Sequence, residues 1–358
     1  MCGPPAGTAR FPADPRPLPC RPSPACRYPD GMHVIVAGSR GLIGTRLVDA
    51  LVTRGDRVTR LVRPTRATAS TDDAHPAARA VVDRSWDPAR RRLSPAVLDG
   101  ADAVVVLNGT SIGHLPWTRS RRRALAVSRR DPVRTVVRAL RELGTAAPTL
   151  LSASAVGYYG SAPGQVLTEQ SPPGHGFLPG LCAAWEREAL RADDVTRVML
   201  VRSASVIHPD ALLRPLLALT RLGVAGPLGD GRQVWPWISL TDEVRAILHL
   251  LDTGLAGPVN LAGPVPATAE EIGRALARRL HRPYLLPAPA PLLRAALGAD
   301  AADGLLLADA DVRPARLKAS GFRFRHRSVH DALEEALPGA PDPEEESGNR
   351  CDDLVRSV

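Results

Sequence analysis

The residues GSRGLIG at positions 38–44 carry the strongest chemical signal in the chain. Glycines three residues apart, Gly38, Gly41 and Gly44, let a backbone turn sharply, approach a pyrophosphate without a Cβ in the way, and pack a following helix against its strand. Free N–H groups and the dipole at the start of that helix favour negative charge. Ser39, Arg40, Leu42 and Ile43 complete the candidate phosphate-binding loop. The apolar run Val34, Ile35, Val36 leads into it as a strand, and Ile43, Leu47 and Leu51 recur at helical spacing up to a stop at Gly55. The spacing departs from G-x-G-x-x-G, and three glycines alone would be read as a tight turn; the strand before and the helix after make the loop a dinucleotide site.

The second strand bears on which dinucleotide. About 20 residues after such a loop, NAD-binding folds place a carboxylate on the ribose 2′-hydroxyl. Here RVTRLVRPTR (57–66) has no carboxylate and four arginines, with Arg63 where the acid would stand and Arg40 inside the loop. A guanidinium clamps a 2′-phosphate by a charge-assisted fork, so NADP(H) is the expected cofactor. The alternative is that an arginine-rich chain exposes arginine at many positions regardless.

These groups need a scaffold. After the first unit, strand-like runs DAVVVLNG (102–109, ending on Gly109 beside the expected cofactor), PTLLSASAV (148–156) and RVMLVRSASV (197–206) alternate with helical patterns, which predicts a Rossmann-type α/β fold with a doubly wound parallel sheet. A helix is expected over Arg119–Leu143, broken or begun anew near Pro132. The dinucleotide domain spans 32–206 and is completed by about 235–263, with PVNLAG (258–263) as a further strand. Segments 207–234 and 264–338, with a helix near Ala269–Leu280, form a smaller, mostly C-terminal substrate domain. Residues 1–31 read as a disordered extension, with Met32 as an alternative start, and 339–358 as an acidic disordered tail around Glu344, Glu345 and Glu346.

The formal charge of +9 does not imply nucleic acid, because the arginines are scattered and aromatics make up only 4% of the chain. No apolar run is long enough for a bilayer. Cys2, Cys20, Cys26, Cys182 and Cys351 fit no zinc spacing, no metal site is expected, and a reducing cytoplasm suits them.

SASAVGYYG (152–160), in the place of the fifth strand, resembles the segment carrying the catalytic serine in extended short-chain dehydrogenases/reductases. With FLPGLCAAWE (177–186), GPLGDGRQVWPWISLTDE (226–243) and PARLKASGFRF (314–324), the chain resembles the atypical, epimerase-like subgroup described as NAD-dependent epimerase/dehydratase-like, sometimes labelled cell-division inhibitor. The resemblance covers most of 32–338. It implies Ser154 as the group that polarises a substrate carbonyl, a strand-end hydrogen bond being its plainer role. The superfamily's Tyr-x-x-x-Lys pair is replaced by Leu178 and Cys182, which can neither transfer a proton nor supply a fixed charge. Tyr158 and Tyr159 are then the substitute acids, with packing as the alternative for at least one. Cys182 faces the cofactor or is a small buried apolar residue. Arg232 and Trp235 resemble the loop that closes over substrate, against a packing role for the tryptophans. Asp242 follows Thr241, an expected N-cap, and Arg202 pairs internally. Two functions stay open: an epimerase or oxidoreductase acting on a small molecule with an altered proton relay, or a non-catalytic NADP(H)-binding sensor. The family's common assembly is a homodimer through two long helices. Nothing in these residues resembles a partner-binding segment for cell division.

Overall fold

The computed structural model describes residues 31–64 and 81–338. The expectations for the N-terminal extension up to residue 30, the acidic tail, Thr65 and Arg66, and every cysteine but Cys182 lie outside the described residues.

Seven strands build one sheet: His33–Ala37 (β1), Arg57–Val62 (β2), Val81–Ser85 (β3), Ala103–Val106 (β4), Thr149–Ala155 (β5), Val198–Ser203 (β6) and Gly257–Leu261 (β7). Their order is β7-β6-β5-β4-β1-β2-β3, and every neighbouring pair is parallel. The order reverses between β1 and β4. At such a switch point the connections leave in opposite directions and open a crevice beyond the C-terminal strand ends, where ligands bind.

The strands are apolar on both faces because both are covered. Val34, Val36, Val105, Leu151 and Val201 face one layer, which holds Leu47 and Leu51 of the helix Leu42–Arg54 (α1). Ile35, Ala37, Val104, Val106 and Leu150 face the other, formed by the helices Arg119–Leu143 (α2) and Phe177–Ala189 (α3). Each fully buried Leu or Val stabilises the fold by roughly 1.5–3 kcal/mol. Gly55 ends α1 in the left-handed region, φ 92°, with its N–H on the Leu51 and Val52 carbonyls. β3 has no counterpart in the sequence reading: as an edge strand it is mostly exposed and shows no apolar alternation.

Pro132 does not break α2, which runs through it unbroken for 25 residues. The proline removes one backbone donor, but Val133, Val136, Ala139 and Leu140 after it are fully buried against the sheet, and Leu125 before it is buried against Trp117, Leu178 and Leu181. A separate apolar centre gathers Ile207, Leu213, Leu217, Trp235, Trp237, Ile272, Leu276 and Leu333. It lies among the helices Leu213–Arg221 (α4), Ala269–Arg279 (α6) and Val329–Ala336. Thr268 and Glu271 start α6 with reciprocal side-chain caps. Among the described residues no helix is long and apolar enough to cross a membrane.

The helix Leu240–Leu251 (α5) corrects an expected cap. Strand Trp237–Ser239 runs straight into it, so the N-cap is Ser239, whose hydroxyl accepts from the Asp242 N–H at 3.0 Å; Thr241 instead donates to Glu335. The Asp242 carboxylate accepts the backbone N–H groups of Arg325 and His326, at 2.9–3.1 Å, and ties the C-terminal segment to this helix start.

Beside it, Glu243 is fully buried: one carboxyl oxygen takes the Ser203 hydroxyl at 2.5 Å and the other has no partner among the described residues. Burial pushes its carboxyl from 4.5 up to about 8, only partly offset by Ser203. A carboxyl with a raised folded-state value stabilises fully below its unfolded value, and that stability is lost as pH rises toward the folded one. The melting temperature is therefore expected to fall between about pH 4.5 and 8, and Glu243→Gln should flatten that slope in a thermal-denaturation series. Parallel slopes for the two proteins would show that Glu243 does not titrate in this window.

Candidate functional site

The glycine loop leaves β1 at the switch point and enters α1. Gly38 has φ +86°, and a Cβ there would sit 2.9 Å from the Leu107 carbonyl carbon and 3.0 Å from the Asn108 nitrogen, so the turn is wedged against the segment after β4. A Cβ on Gly44 would overlap the Gly38 carbonyl oxygen, so only glycine lets α1 approach this closely. At Gly41 the space is open, with only the Gly38 oxygen at 3.4 Å. Gly41 is also the N-cap of α1, which has no side-chain cap and no acidic residue in its first turn. The positive end of α1 thus faces open space, a geometry that receives a phosphate. Ser39 is buried in the loop, Leu42 and Ile43 are half-buried, and Arg40 is exposed beside them. Arg63 is exposed just past β2. Next to it, beyond the ends of β2 and β3, opens a cleft of about 410 Å³ lined by Pro64, Ser85, Trp86, Asp87, Arg90 and Arg92.

At the end of β5 the residues form a buried ionic network. Ser154 donates its hydroxyl to Glu186 at 2.7 Å. Arg202, 1% exposed on β6, forks onto both oxygens of Glu186 at 2.8 Å and donates to the Tyr159 hydroxyl at 2.9 Å. Tyr159 in turn donates to Asn260 on β7 at 2.7 Å. Burial pushes the Tyr159 phenol up to about 12 against the pull of Arg202, so it holds its proton. Tyr158 is placed differently. Its ring lies under the Arg202 guanidinium, 3.5 Å from centroid to carbon. Arg202 also engages its hydroxyl, which is not a sealed, unpaired atom. Burial raises the Tyr158 pKa, and the Arg202 charge works against that rise.

Leu178 and Cys182 on α3 face the turn that carries the tyrosines: a Cβ on Gly157 would meet Leu178 Cβ at 3.6 Å and Cys182 Sγ at 3.8 Å. Cys182 is 4% exposed, and burial first, then the Glu186 charge, pushes its thiol up to about 12. It is a neutral packing residue and presents no thiolate to a cofactor. Trp235 also departs from expectation. It is buried in the C-terminal apolar centre with its indole N–H on the Leu306 carbonyl at 3.1 Å, so it is packing and not a cover over substrate. Arg232 stays exposed on the turn after Asp230, whose carboxylate accepts its N–H at 3.0 Å.

The internal pairing expected for Arg202 is present, but its partner Glu186, and Asn260 as the acceptor of Tyr159, escaped the sequence reading. One signal pointed to them: a charge inside an apolar strand needs a buried counter-charge, because an unpaired one is too costly. Gly109 is exposed and lies against the guanidinium of Arg129, another residue the sequence did not single out.

Residues 34–262 match the model of the NAD dependent epimerase/dehydratase family, and 288–336 match a domain of unknown function, DUF1731. An epimerase family protein of Mycobacterium tuberculosis is 38% identical over 303 residues, covering 84% of this chain and 96% of the relative. The epimerase family protein SDR39U1 of Bos taurus is 30% identical over 315 residues, covering 86% of this chain and all of the relative. Among solved structures, human epimerase family protein SDR39U1 (isoform 2) with NADPH is similar with a TM-score of 0.75 and 27% identity, over 86% of this chain and 100% of that one. A nucleoside-diphosphate sugar epimerase from Corynebacterium glutamicum is similar with a TM-score of 0.66 and 26% identity, over 91% of this chain and 66% of that one. With its seven-stranded parallel sheet, its glycine loop at the switch point and a family match over most of its length, the chain belongs to the NAD-dependent epimerase/dehydratase family.

Proposed function

We propose that the chain is an NADP(H)-dependent oxidoreductase or epimerase acting on a small carbonyl or sugar-like substrate, with Tyr158 as the proton donor of an altered relay. The observation that carries the reading is the Arg202 guanidinium stacked 3.5 Å from the Tyr158 ring. A fixed cation over a phenol stabilises the phenolate left when its proton moves to an oxygen gaining charge. Arg202 thereby does for Tyr158 what the superfamily lysine does for its tyrosine. The Glu186 fork keeps that cation in place, and Ser154 acts through Glu186 as a positioning residue.

The loop fits a dinucleotide: Gly41 leaves room for a pyrophosphate at the uncapped start of α1. Arg40 and Arg63 suit a 2′-phosphate, and the related human protein was solved with NADPH. Bound there, the nicotinamide would deliver or accept hydride at a substrate carbon. A second reading is supported by the sealed Cys182 and by Ser154 and Tyr159 being engaged inside the protein: a binder that senses NADP(H) without turnover.

Three variants separate these readings. Gly41→Asp should abolish NADPH binding in a calorimetric titration while leaving α1 intact, because an N-cap aspartate supports a helix as it repels phosphate; retained affinity would remove the loop from the binding site. Arg63→Ala should weaken NADPH about 10- to 100-fold, the loss of a charged hydrogen bond of about 1.5–3 kcal/mol, and leave NADH nearly unchanged. Equal losses for both cofactors would move the 2′-phosphate contact to Arg40. Tyr158→Phe keeps the stacked ring and should lower kcat on a carbonyl panel, followed at the NADPH absorbance, by about 10²–10⁴ with unchanged NADPH affinity. Unchanged turnover would exclude Tyr158, and wild-type binding without any turnover would favour the sensing role or a substrate outside the panel.

A further inference from the structure

We propose that the face formed by α4 and the segment 281–289 is a peripheral docking surface for an anionic phospholipid membrane, with exposed leucines entering the interface and arginines holding lipid phosphates. Leu219, Leu222, Val224, Leu285 and Leu286 are large apolar side chains left exposed, Leu222 and Leu285 at 75%. Leucines exposed singly are ordinary on a protein surface, but these stand on two segments that run side by side. The Ala225 carbonyl accepts the N–H groups of Leu285 and Leu286 at 2.9 and 3.2 Å, and the Leu219 carbonyl accepts that of Val224 at 3.1 Å. Gly226 lies so close to the Leu286 backbone that a Cβ would overlap it, and a Cβ on Gly223 would meet Pro283 at 3.9 Å. The turn after α4 and the chain before the helix Ala290–Leu297 therefore form one surface.

Charge decides what covers it. Residues 211–229 and 281–299 contain four arginines and no aspartate or glutamate. Arg294 pairs with Asp303, whereas Arg214, Arg221 and Arg282 are exposed and have no carboxylate partner among the described residues. The flanking acids are engaged elsewhere: Asp210 lies against His208, Glu270 pairs with Arg274, and Asp230 accepts the Arg232 N–H. Arg214 and Arg221 stand two helical turns apart on the outer side of α4, while Leu213, Leu217 and Thr220 face the core. A guanidinium grips phosphate as a fork, and interfacial binding grows with both apolar burial and attraction to anionic headgroups. A second copy of the chain fits less well, because an isologous contact would set these arginines against each other. A folded protein partner must offer a preformed hole to each protruding leucine, whereas lipid tails receive them at any spacing. The segment 281–299 runs on into Ala301 and Leu305, which pack with Trp117 and Leu178, so the docking face is tied to residues beside the candidate site.

The test is co-sedimentation of the full chain with vesicles of phosphatidylcholine alone and of phosphatidylcholine mixed with an equal part of phosphatidylglycerol. Wild type should bind the mixed vesicles, lose that binding as salt rises, and leave the neutral vesicles free. Arg214→Gln, Arg221→Gln and Arg282→Gln should each weaken binding about 5-fold. Leu222→Ser combined with Leu285→Ser should weaken it at least about 10-fold. All these side chains are exposed, so the variants should keep the wild-type melting temperature, which reports that they are folded. No binding to the mixed vesicles, equal binding to both kinds, or binding unaltered in the arginine and leucine variants would overturn the proposal. A concentration-dependent dimer abolished by the leucine changes, in place of vesicle binding, would give the face to a second copy and overturn it too. Vesicle binding that appears only with Glu344→Gln, Glu345→Gln and Glu346→Gln together would give it to the chain's own acidic residues, with the same consequence.

Discussion

A buried ion pair sits at the centre of the structure. Arg202 and Glu186 are both almost fully removed from water, so neither could remain charged without the other, and the fork between them joins β6 to α3. Removing one partner of such a pair costs about 3–5 kcal/mol, because the survivor keeps its burial and loses its compensation. Everything near the end of β5 is organised around that requirement. Ser154 adds a hydrogen bond to the carboxylate, Tyr159 takes a guanidinium N–H and passes its own proton toward Asn260, and Tyr158 stacks on the face of the cation. A site that needs polar side chains in an apolar interior has thus become rigid, since each member satisfies another.

This rigidity bears on the missing tyrosine and lysine. Leu178 and Cys182 fill the space of the lost pair with apolar volume, which turns that part of α3 into packing against the Gly157 turn. Positive charge has not left the region. It enters from β6 as Arg202 and from α2 as Arg129, so its sources sit on different elements.

Much of the fold was legible because the central strands are buried on both faces and so appear as unbroken apolar runs, and because Gly38, Gly41, Gly44 and Gly55 punctuate the first unit. β3 was not, since an exposed edge strand carries no burial pattern, and Pro132 misled because tertiary packing of α2 outweighs one lost backbone bond. At the site, the glycine loop could be read from its glycines together with the strand before it and the helix after it. The network could not: Ser154, Tyr159, Glu186, Arg202 and Asn260 are brought together only by the folded sheet and α3 upon it, and no short window of sequence holds two of its charges at contact distance. Trp235 shows the reverse failure, in which a residue type suited to covering a ligand serves a core.

The carboxylate of Glu169 adds one more thread. A single oxygen accepts the backbone N–H of Asn260, on the last strand of the sheet, and that of Arg316, far along the C-terminal segment, each at 3.1 Å, while the Asn260 amide donates to the Arg313 carbonyl. The two matched family regions, 34–262 and 288–336, are thus stitched together by hydrogen bonds between side chains of the first and the main chain of the second. The C-terminal region is consequently a poor candidate for an exchangeable module: moved to another scaffold it would carry an unmet Arg316 N–H and Arg313 carbonyl with it and leave the Asn260 amide without its acceptor.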